Sequence, residues 1–153
     1  MDNAAVAKRF VSATVNVLST MANIKPVAGK PFVKTNMVAL GDVSAIIGIT
    51  GDKRGSIAVT FPKASAIAVV RGMLGDDIRD IIQDTRDTVG EVTNMISGQA
   101  RAKLAEDGLS LQGATPSIVF GDRHTVTHLT DAPVVAIPFA IDAGEFIVEF
   151  CFE

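Results

Sequence analysis

The sequence feature that most constrains the fold is a helical pattern over residues 87–98. Asp87, Glu91, Asn94 and Gly98 are spaced by four, three and four positions. At about 100° per residue they therefore share one narrow stripe of a helix. The apolar residues of this segment fall on the opposite side, and they are Val89, Val92, Ile96 and Ala100. The pattern predicts a helix that buries one face and displays a carboxylate, an amide and a glycine on the other.

The composition of this stripe differs from that of an ordinary solvated helix surface. Such a surface is usually rich in Lys, Glu, Arg and Gln, which are strong helix formers. Asn94 is a poor helix former, and Gly90 and Gly98 each cost about 1 kcal/mol relative to Ala. We infer a surface that another protein approaches closely, although spacing alone also fits a solvated helix face.

Length and charge set the broad class. A chain of 153 residues fits one domain, residues 1–153, with a real hydrophobic core. The net charge of −3 gives no general attraction to nucleic acid or to an anionic membrane. The single cysteine, Cys151, excludes an internal disulfide and fits a reducing compartment. Because neither a signal-peptide pattern nor an apolar run of membrane-spanning length is present, we expect a cytoplasmic protein.

The spacing of apolar residues predicts three helical segments, which are 4–22, 62–74 and 78–107. The last segment should break or bend before Asp84 and end at Gly108 as a C-cap. Strands are predicted over 32–39, 43–50, 55–61, 116–121, 124–130, 133–141 and 145–152. Residues 51–55 have the chemistry of a hairpin loop, and Pro133 and Pro138 place the 133–141 strand at an edge or a bulge. We expect an α+β fold with a mostly antiparallel sheet packed against long helices.

The two halves of the chain resemble each other. Asn16-Val-Leu-Ser in the first helix matches Asn94-Met-Ile-Ser in the central helix, and a glycine-led apolar strand begins later at Gly55 and at Gly144. This similarity predicts a pseudo-twofold repeat. Ala13 stands where Glu91 stands in the second half, so only the second half keeps the carboxylate–amide pair.

The pattern Asp87-x-x-x-Glu91-x-x-Asn94, with Pro116 twenty-two positions after the asparagine, resembles the signature of the CheC/CheX/FliY chemotaxis phosphatases. The chain length and the single Glu/Asn pair are most similar to the CheX branch. The resemblance implies a CheC-like pseudo-twofold fold, a homodimer and a substrate, the phosphorylated response regulator CheY. That substrate carries an aspartyl phosphate and a bound Mg²⁺.

The resemblance also implies roles for the stripe residues. The Mg²⁺ and a lysine of the response regulator neutralise the phosphoryl charge, so no cofactor of this chain is expected. Asn94 would position the attacking water, because an amide donates and accepts hydrogen bonds without adding charge. Glu91 would pair with the substrate's lysine, and a role as general base is the weaker alternative. Further partner contacts are expected from Asp87, Gly90, Gly98 and Arg101.

Two other functions fit the residues. One is a non-catalytic adaptor of the same fold that binds response regulators. The other is a metal-dependent hydrolase that uses Asp87, Glu91 and the histidines, although His124 and His128 lack a neighbouring cysteine and form a poor zinc pattern. Cys151, between two phenylalanines, indicates buried packing.

The last strand, 146–152, is apolar on nearly both faces. Such a strand must be covered within the monomer or by another subunit. This requirement, together with the resemblance, favours a homodimer.

Overall fold

The computed structural model describes residues 1–36, 41–121 and 124–153. These residues contain three α-helices, which are α1 (Asn3–Met21), α2 (Lys63–Leu74) and α3 (Ile81–Glu106). They also contain eight strands, which are β1 (Val27–Ala28), β2 (Phe32–Val33), β3 (Val43–Gly51), β4 (Gly55–Phe61), β5 (Leu111–Gly113), β6 (Ser117–Phe120), β7 (Val135–Ile141) and β8 (Gly144–Phe152). Within the described ranges, no helix is long and apolar enough to cross a membrane.

The strands form one antiparallel sheet. Its order is β1–β7–β8–β4–β3–β5, with β2 also paired to β7 and β6 also paired to β3. The predicted α+β class is therefore confirmed. The three helices pack on one face, where alternate residues of the long strands form the core with them. At the centre of this core, Phe10 of α1 stacks on Phe150 of β8 with 5.2 Å between ring centroids.

The predicted repeat is visible in the topology. Each half consists of a long helix, two short strands and a long hairpin, and α2 lies between the halves. The halves exchange their short strands, because β1 and β2 pair with β7 whereas β5 and β6 pair with β3. Gly55 and Gly144 begin the equivalent strands β4 and β8, which meet at the centre of the sheet.

Local chemistry fixes the ends of α3. Asp80 is its N-cap and accepts hydrogen bonds from the backbone N–H groups of Ile82 and Gln83 at 3.1 and 3.2 Å. The predicted segment 78–107 is shortened at its start, because residues 78–80 are not helical and Ile78 is extended. The helix is therefore unbroken from Ile81 to Glu106, and the break predicted before Asp84 lies instead ahead of its first turn. Gly108 follows the helix with φ of +93°, which confirms the predicted C-terminal glycine.

Two strand predictions are wrong. Residues 124–130 form no strand beyond an isolated bridge at Thr125, and instead cross the sheet face opposite the helices, where Val126 packs on Ala58. The strand predicted over 32–39 shrinks to β2, followed by irregular residues 34–36, and positions 37–40 lie outside the described residues. The short strands β1 and β5 were not predicted, because two or three residues carry no detectable period.

The 133–141 strand was predicted at an edge or a bulge; the edge position is wrong, but a bulge is present at Pro138, where residues 29–31 lie opposite only residues 137 and 138. β7 lies between β8 and the short strands β1 and β2. Pro138 is tolerated there because its backbone faces the gap between those two short strands, where its carbonyl accepts a hydrogen bond from Gly29 N–H at 2.7 Å.

The last strand is covered within the monomer. β8 pairs with β4 on one side and β7 on the other, and its residues Phe146, Val148, Phe150 and Cys151 are all buried. The strand is therefore covered by other parts of the same chain, and its burial requires no second subunit.

A buried polar network holds the sheet face opposite the helices. Glu149 of β8 is 1% exposed and accepts hydrogen bonds from His128 Nε2 at 2.8 Å and Lys34 Nζ at 3.0 Å. His128 Nδ1 in turn lies 2.6 Å from Ser56 Oγ. Burial alone would raise the pKa of Glu149, but the His128 hydrogen bond and the Lys34 charge together outweigh it and lower that pKa below its ordinary value.

We expect the Glu149 carboxylate to make folding stability depend on acid pH. Because its pKa is lower in the folded than in the unfolded chain, its contribution is complete above the unfolded pKa and is lost as pH falls through the folded pKa. Glu149→Gln should lower the free energy of unfolding at pH 7 by up to about 3–5 kcal/mol, the range for a buried ion pair, since it leaves the partly buried Lys34 without its partner charge. Urea titrations between pH 3 and 8 measure both effects, with the exposed Glu145→Gln of the same strand as control. An acid dependence of the Glu149→Gln variant equal to that of the wild type would refute this assignment.

Candidate active site on α3

The structure places the predicted stripe as expected. Asp87, Glu91 and Asn94 lie on α3 and are exposed. The opposite face of the helix is fully buried, with Val89, Val92, Ile96 and Ala100 at 0% exposure. The buried face therefore fixes the rotation of the helix, and that rotation turns the polar stripe to the solvent.

Glu91 and Asn94 have no partner among the described residues. Within the described part of the chain, neither side chain forms a hydrogen bond or an ion pair. Three positions apart on a helix, their Cβ atoms are separated by about 5–6 Å. The pair therefore presents one charged acceptor and one amide, close together and available to another molecule.

Asp87 is held from within the helix. Its Oδ1 accepts a hydrogen bond from Gln83 Nε2 at 2.9 Å, one turn earlier. Near the start of the same helix, Asp84 Oδ2 accepts the backbone N–H groups of Arg79 and Asp80 at 2.9 and 3.2 Å. The N-terminal end of the stripe is thus ordered by side-chain contacts.

The two glycines of the helix differ in their surroundings. A Cβ at Gly98 would meet only Arg101 Nη2, at 4.0 Å, so the surface outside Gly98 is open. A Cβ at Gly90 would lie 3.3 Å from Ile118 Cδ1 of β6. Packing of β6 against the helix therefore gives Gly90 a role inside the chain, which the sequence analysis missed. Pro116, two residues before Ile118, lies in the segment that leads into β6.

Arg101 lies at the C-terminal end of the stripe on α3. Its Nε donates a hydrogen bond to Ser97 Oγ at 3.1 Å. Its guanidinium lies against Gly113 of β5, where a Cβ would stand 3.1 Å from Cζ, Nε and Nη2. Sequence reasoning identified Arg101 but missed Ser97 and Gly113, because a helix-to-strand contact leaves no signal in local spacing.

The first half of the repeat has no equivalent of this pair. Asn16 Nδ2 donates to Gln99 Oε1 at 2.7 Å, so this asparagine links α1 to α3. Ala13, at the position that corresponds to Glu91, is only 4% exposed. The two halves therefore differ as the sequence predicts, and the use of the Glu91–Asn94 pair as a site stays a prediction.

The histidines have partners on another part of the molecule. His124 bonds to Gly121 O and Ser44 Oγ at 2.5 and 2.6 Å, and both histidines belong to the segment that covers the opposite sheet face. The hypothesis of a metal-dependent hydrolase that joins them to Asp87 and Glu91 is therefore wrong. Among the described residues, no cluster of three or more His, Cys, Asp or Glu side chains could hold a metal ion.

Known proteins are similar to this chain in both sequence and fold. Residues 43–140 match the family model described as chemotaxis phosphatase CheX. A Thermotoga maritima protein named CheY-P phosphatase CheX is 25% identical over 120 residues, which cover 78% of this chain and 77% of that protein.

Two solved structures extend the comparison. The chemotaxis protein CheX from Desulfovibrio desulfuricans is 67% identical, with a TM-score of 0.93 over 97% of this chain and 99% of that chain. The CheX of a CheX–CheY–BeF₃–Mg²⁺ complex from Borrelia burgdorferi is 22% identical, with a TM-score of 0.80 over 96% of this chain and 97% of that chain. Because the identity is only 22%, the comparison with the Borrelia protein shows a common fold and nothing more.

The contrast between the two glycines predicts different stability effects. We expect Gly98→Ala to raise the free energy of unfolding by about 0.5–1 kcal/mol, because Ala favours the helix and its methyl group meets open space. Gly90→Ala should be less stable than Gly98→Ala, because Ile118 must move to admit the methyl group. Urea unfolding of both variants measures the difference, and the reverse order would contradict the packing described for Gly90.

Proposed function

The chain belongs to the CheX family of chemotaxis phosphatases, and we propose that it hydrolyses the aspartyl phosphate of the response regulator CheY. The observation that carries this proposal is the Glu91–Asn94 pair, which lies on the exposed face of a well-packed helix and has no partner among the described residues. The name of the Thermotoga maritima relative and the Borrelia burgdorferi complex with CheY support the choice of substrate.

In the proposed reaction, Asn94 positions the nucleophilic water. The water oxygen attacks phosphorus, the bond between phosphorus and the aspartyl oxygen breaks, and inorganic phosphate and a free carboxylate are formed. The Asn94 amide can accept from the water with Oδ1 and donate with Nδ2, and it adds no charge that would repel the phosphoryl group. Orientation of a reactant can supply up to about 7–11 kcal/mol in favourable cases, so one amide is sufficient for a large effect.

Glu91 would dock the helix over the phosphorylation site. Its carboxylate is exposed and without an internal partner in the described part of the chain, so it can pair with the active-site lysine of the response regulator. Activation of the water by the same carboxylate is the weaker alternative, because an exposed carboxylate is a poor base for water. Mg²⁺ enters this proposal as part of the substrate, where it neutralises phosphoryl charge.

The remaining stripe residues would contact the partner. Asp87 and Arg101 border the Glu91–Asn94 pair with charges of opposite sign, and the open surface at Gly98 admits close approach of a backbone. Gly90 packs against Ile118, and its lack of a side chain would also let the backbone of the partner come close to the helix.

We propose the cytoplasm as the location of this reaction.

A non-catalytic adaptor that binds CheY is the alternative, and the Asn94→Ala variant separates the two functions. We expect this variant to slow the accelerated decay of phosphorylated CheY by about a hundredfold or more, because the water loses its orientation. Binding of CheY should change little, since Glu91 and the docking surface remain.

The matched control is Asn16→Ala, which removes the equivalent asparagine of α1. Decay of ³²P-labelled CheY phosphate and fluorescence anisotropy of labelled CheY measure activity and binding. Wild-type chain that binds CheY without accelerating its dephosphorylation would favour the adaptor and overturn the phosphatase.

We also propose a homodimer, on grounds that differ from those of the sequence analysis. β1 and β2 are the outermost strands on their side of the sheet, and they expose Val27 and Val33 by 68% and 61%. Beside them an apolar groove of about 710 Å³ runs between β2 and the first half of α1, where Ala4, Ala7 and Val11 line it. An unpaired edge next to an apolar groove favours association with a second copy.

Val33→Asp tests the homodimer. We expect wild-type chain to sediment as a dimer at micromolar concentration and Val33→Asp to sediment as a monomer, because a charge would have to be buried at the interface. Leu129→Asp is the control, since Leu129 is 57% exposed on another surface. A monomeric wild-type chain, or a dimer that Val33→Asp leaves intact, would contradict this interface.

A further inference from the structure

The side chain of Arg101 is held in place by two different elements. Ser97, one turn earlier on α3, is fully buried and accepts the Nε–H of Arg101 with its hydroxyl at 3.1 Å. Gly113 of β5 offers a bare backbone, against which the guanidinium lies so closely that a Cβ would stand 3.1 Å from three of its atoms. A long surface side chain would otherwise sample many rotamers.

This arrangement directs the charge toward the Glu91–Asn94 pair. Side chains on a helix lean toward its N-terminus, so Arg101 lies over the turn that contains Gly98. Its Nη2 is the atom nearest to the Cβ position of Gly98, at 4.0 Å, and Asn94 is one further turn back. Because Ser97 uses Nε, the N–H groups of Nη1 and Nη2 remain for another acceptor.

Arg101 differs from other cations of the chain in its ion pairing. Among the described residues it forms no ion pair, whereas Arg9 and Lys34 are each paired with a carboxylate. Arg86, the other arginine of α3, lies over the ring of Phe120 with 4.9 Å to the centroid. Arg101 is therefore a fixed but uncompensated cation at the end of the stripe.

We propose that Arg101 binds a carboxylate of CheY next to the phosphorylation site, and that Ser97 and Gly113 are positioning residues for its guanidinium. This inference rests on the proposed function. A guanidinium fork and a carboxylate form paired charge-assisted hydrogen bonds. A fork that is already ordered before binding loses less conformational freedom when the partner docks.

The first test compares two arginines of the same helix. We expect Arg101→Ala to raise the KM for phosphorylated CheY about tenfold, which corresponds to about 1.4 kcal/mol, with kcat nearly unchanged. The KM of this variant should also depend less on salt, because a charge pair has been lost. Arg86→Ala is the matched control and should leave KM within about twofold.

The second test asks whether Ser97 and Gly113 act through Arg101. Ser97→Ala and Gly113→Val should each raise KM about threefold in the wild-type background, because the guanidinium is released or displaced. Neither should raise it further in the Arg101→Ala background, which is the outcome that a merely structural role would not produce. Thermal unfolding identifies variants that fail to fold, and Gln112→Ala in the same strand is the control for Gly113.

The outcomes separate this inference from the proposed function. If wild-type chain does not accelerate the dephosphorylation of CheY, the proposed function fails. If it does, but Arg101→Ala behaves like Arg86→Ala or the effect of Ser97→Ala persists without Arg101, this inference is overturned. Affinity for unphosphorylated CheY should fall as much as for phosphorylated CheY, and a loss confined to the phosphorylated form would overturn the carboxylate in favour of the phosphoryl group.

Discussion

The packing of one face of α3 against the sheet is the interaction on which the site depends. Val92 and Ile96 are completely buried there, and burial of such side chains contributes about 1.5–3 kcal/mol each. A helix that buries these positions cannot rotate, so Glu91 and Asn94 must face the solvent. The site therefore needs no loop to position it. Its geometry follows from the core, and the polar pair is as rigid as the helix that carries it.

The elements that could be predicted from the sequence are those in which apolar residues recur with a regular spacing. The spacing of Phe10 and Val17 in α1 and of Val92 and Ile96 in α3 identified both helices, and the alternation around residues 51–55 identified the β3–β4 hairpin. The stripe of Asp87, Glu91, Asn94 and Gly98 could be predicted in the same way, because spacing along the chain alone decides which residues share a helix face. The residues that share this exposed helix face could therefore be predicted before any fold was known, and their role as a site stays a prediction.

The remaining features depend on contacts between distant residues. Residues 124–130 alternate like a strand because Val126 and His128 turn toward the sheet, but their hydrogen bonds go to side chains such as Ser56 and Glu149 rather than to a strand ladder. The central position of β8 follows from its pairing with β4, which belongs to the other half of the chain. The contact between Arg101 and Gly113 likewise depends on the pairing of β5 with β3.

The pseudo-twofold repeat explains how one half can carry the proposed site while the other half packs against it. Two equivalent helices must pack on each other as well as on the sheet, and α1 uses its asparagine for that contact, through Asn16 and Gln99. Its position 13 is buried, so an ionised glutamate there would lose its hydration without gaining a partner. In α3 the equivalent positions, Glu91 and Asn94, remain exposed to solvent. The difference between the two helices thus follows from how they pack side by side. α3 exposes Glu91 and Asn94, whereas α1 buries position 13 and uses Asn16 to contact α3.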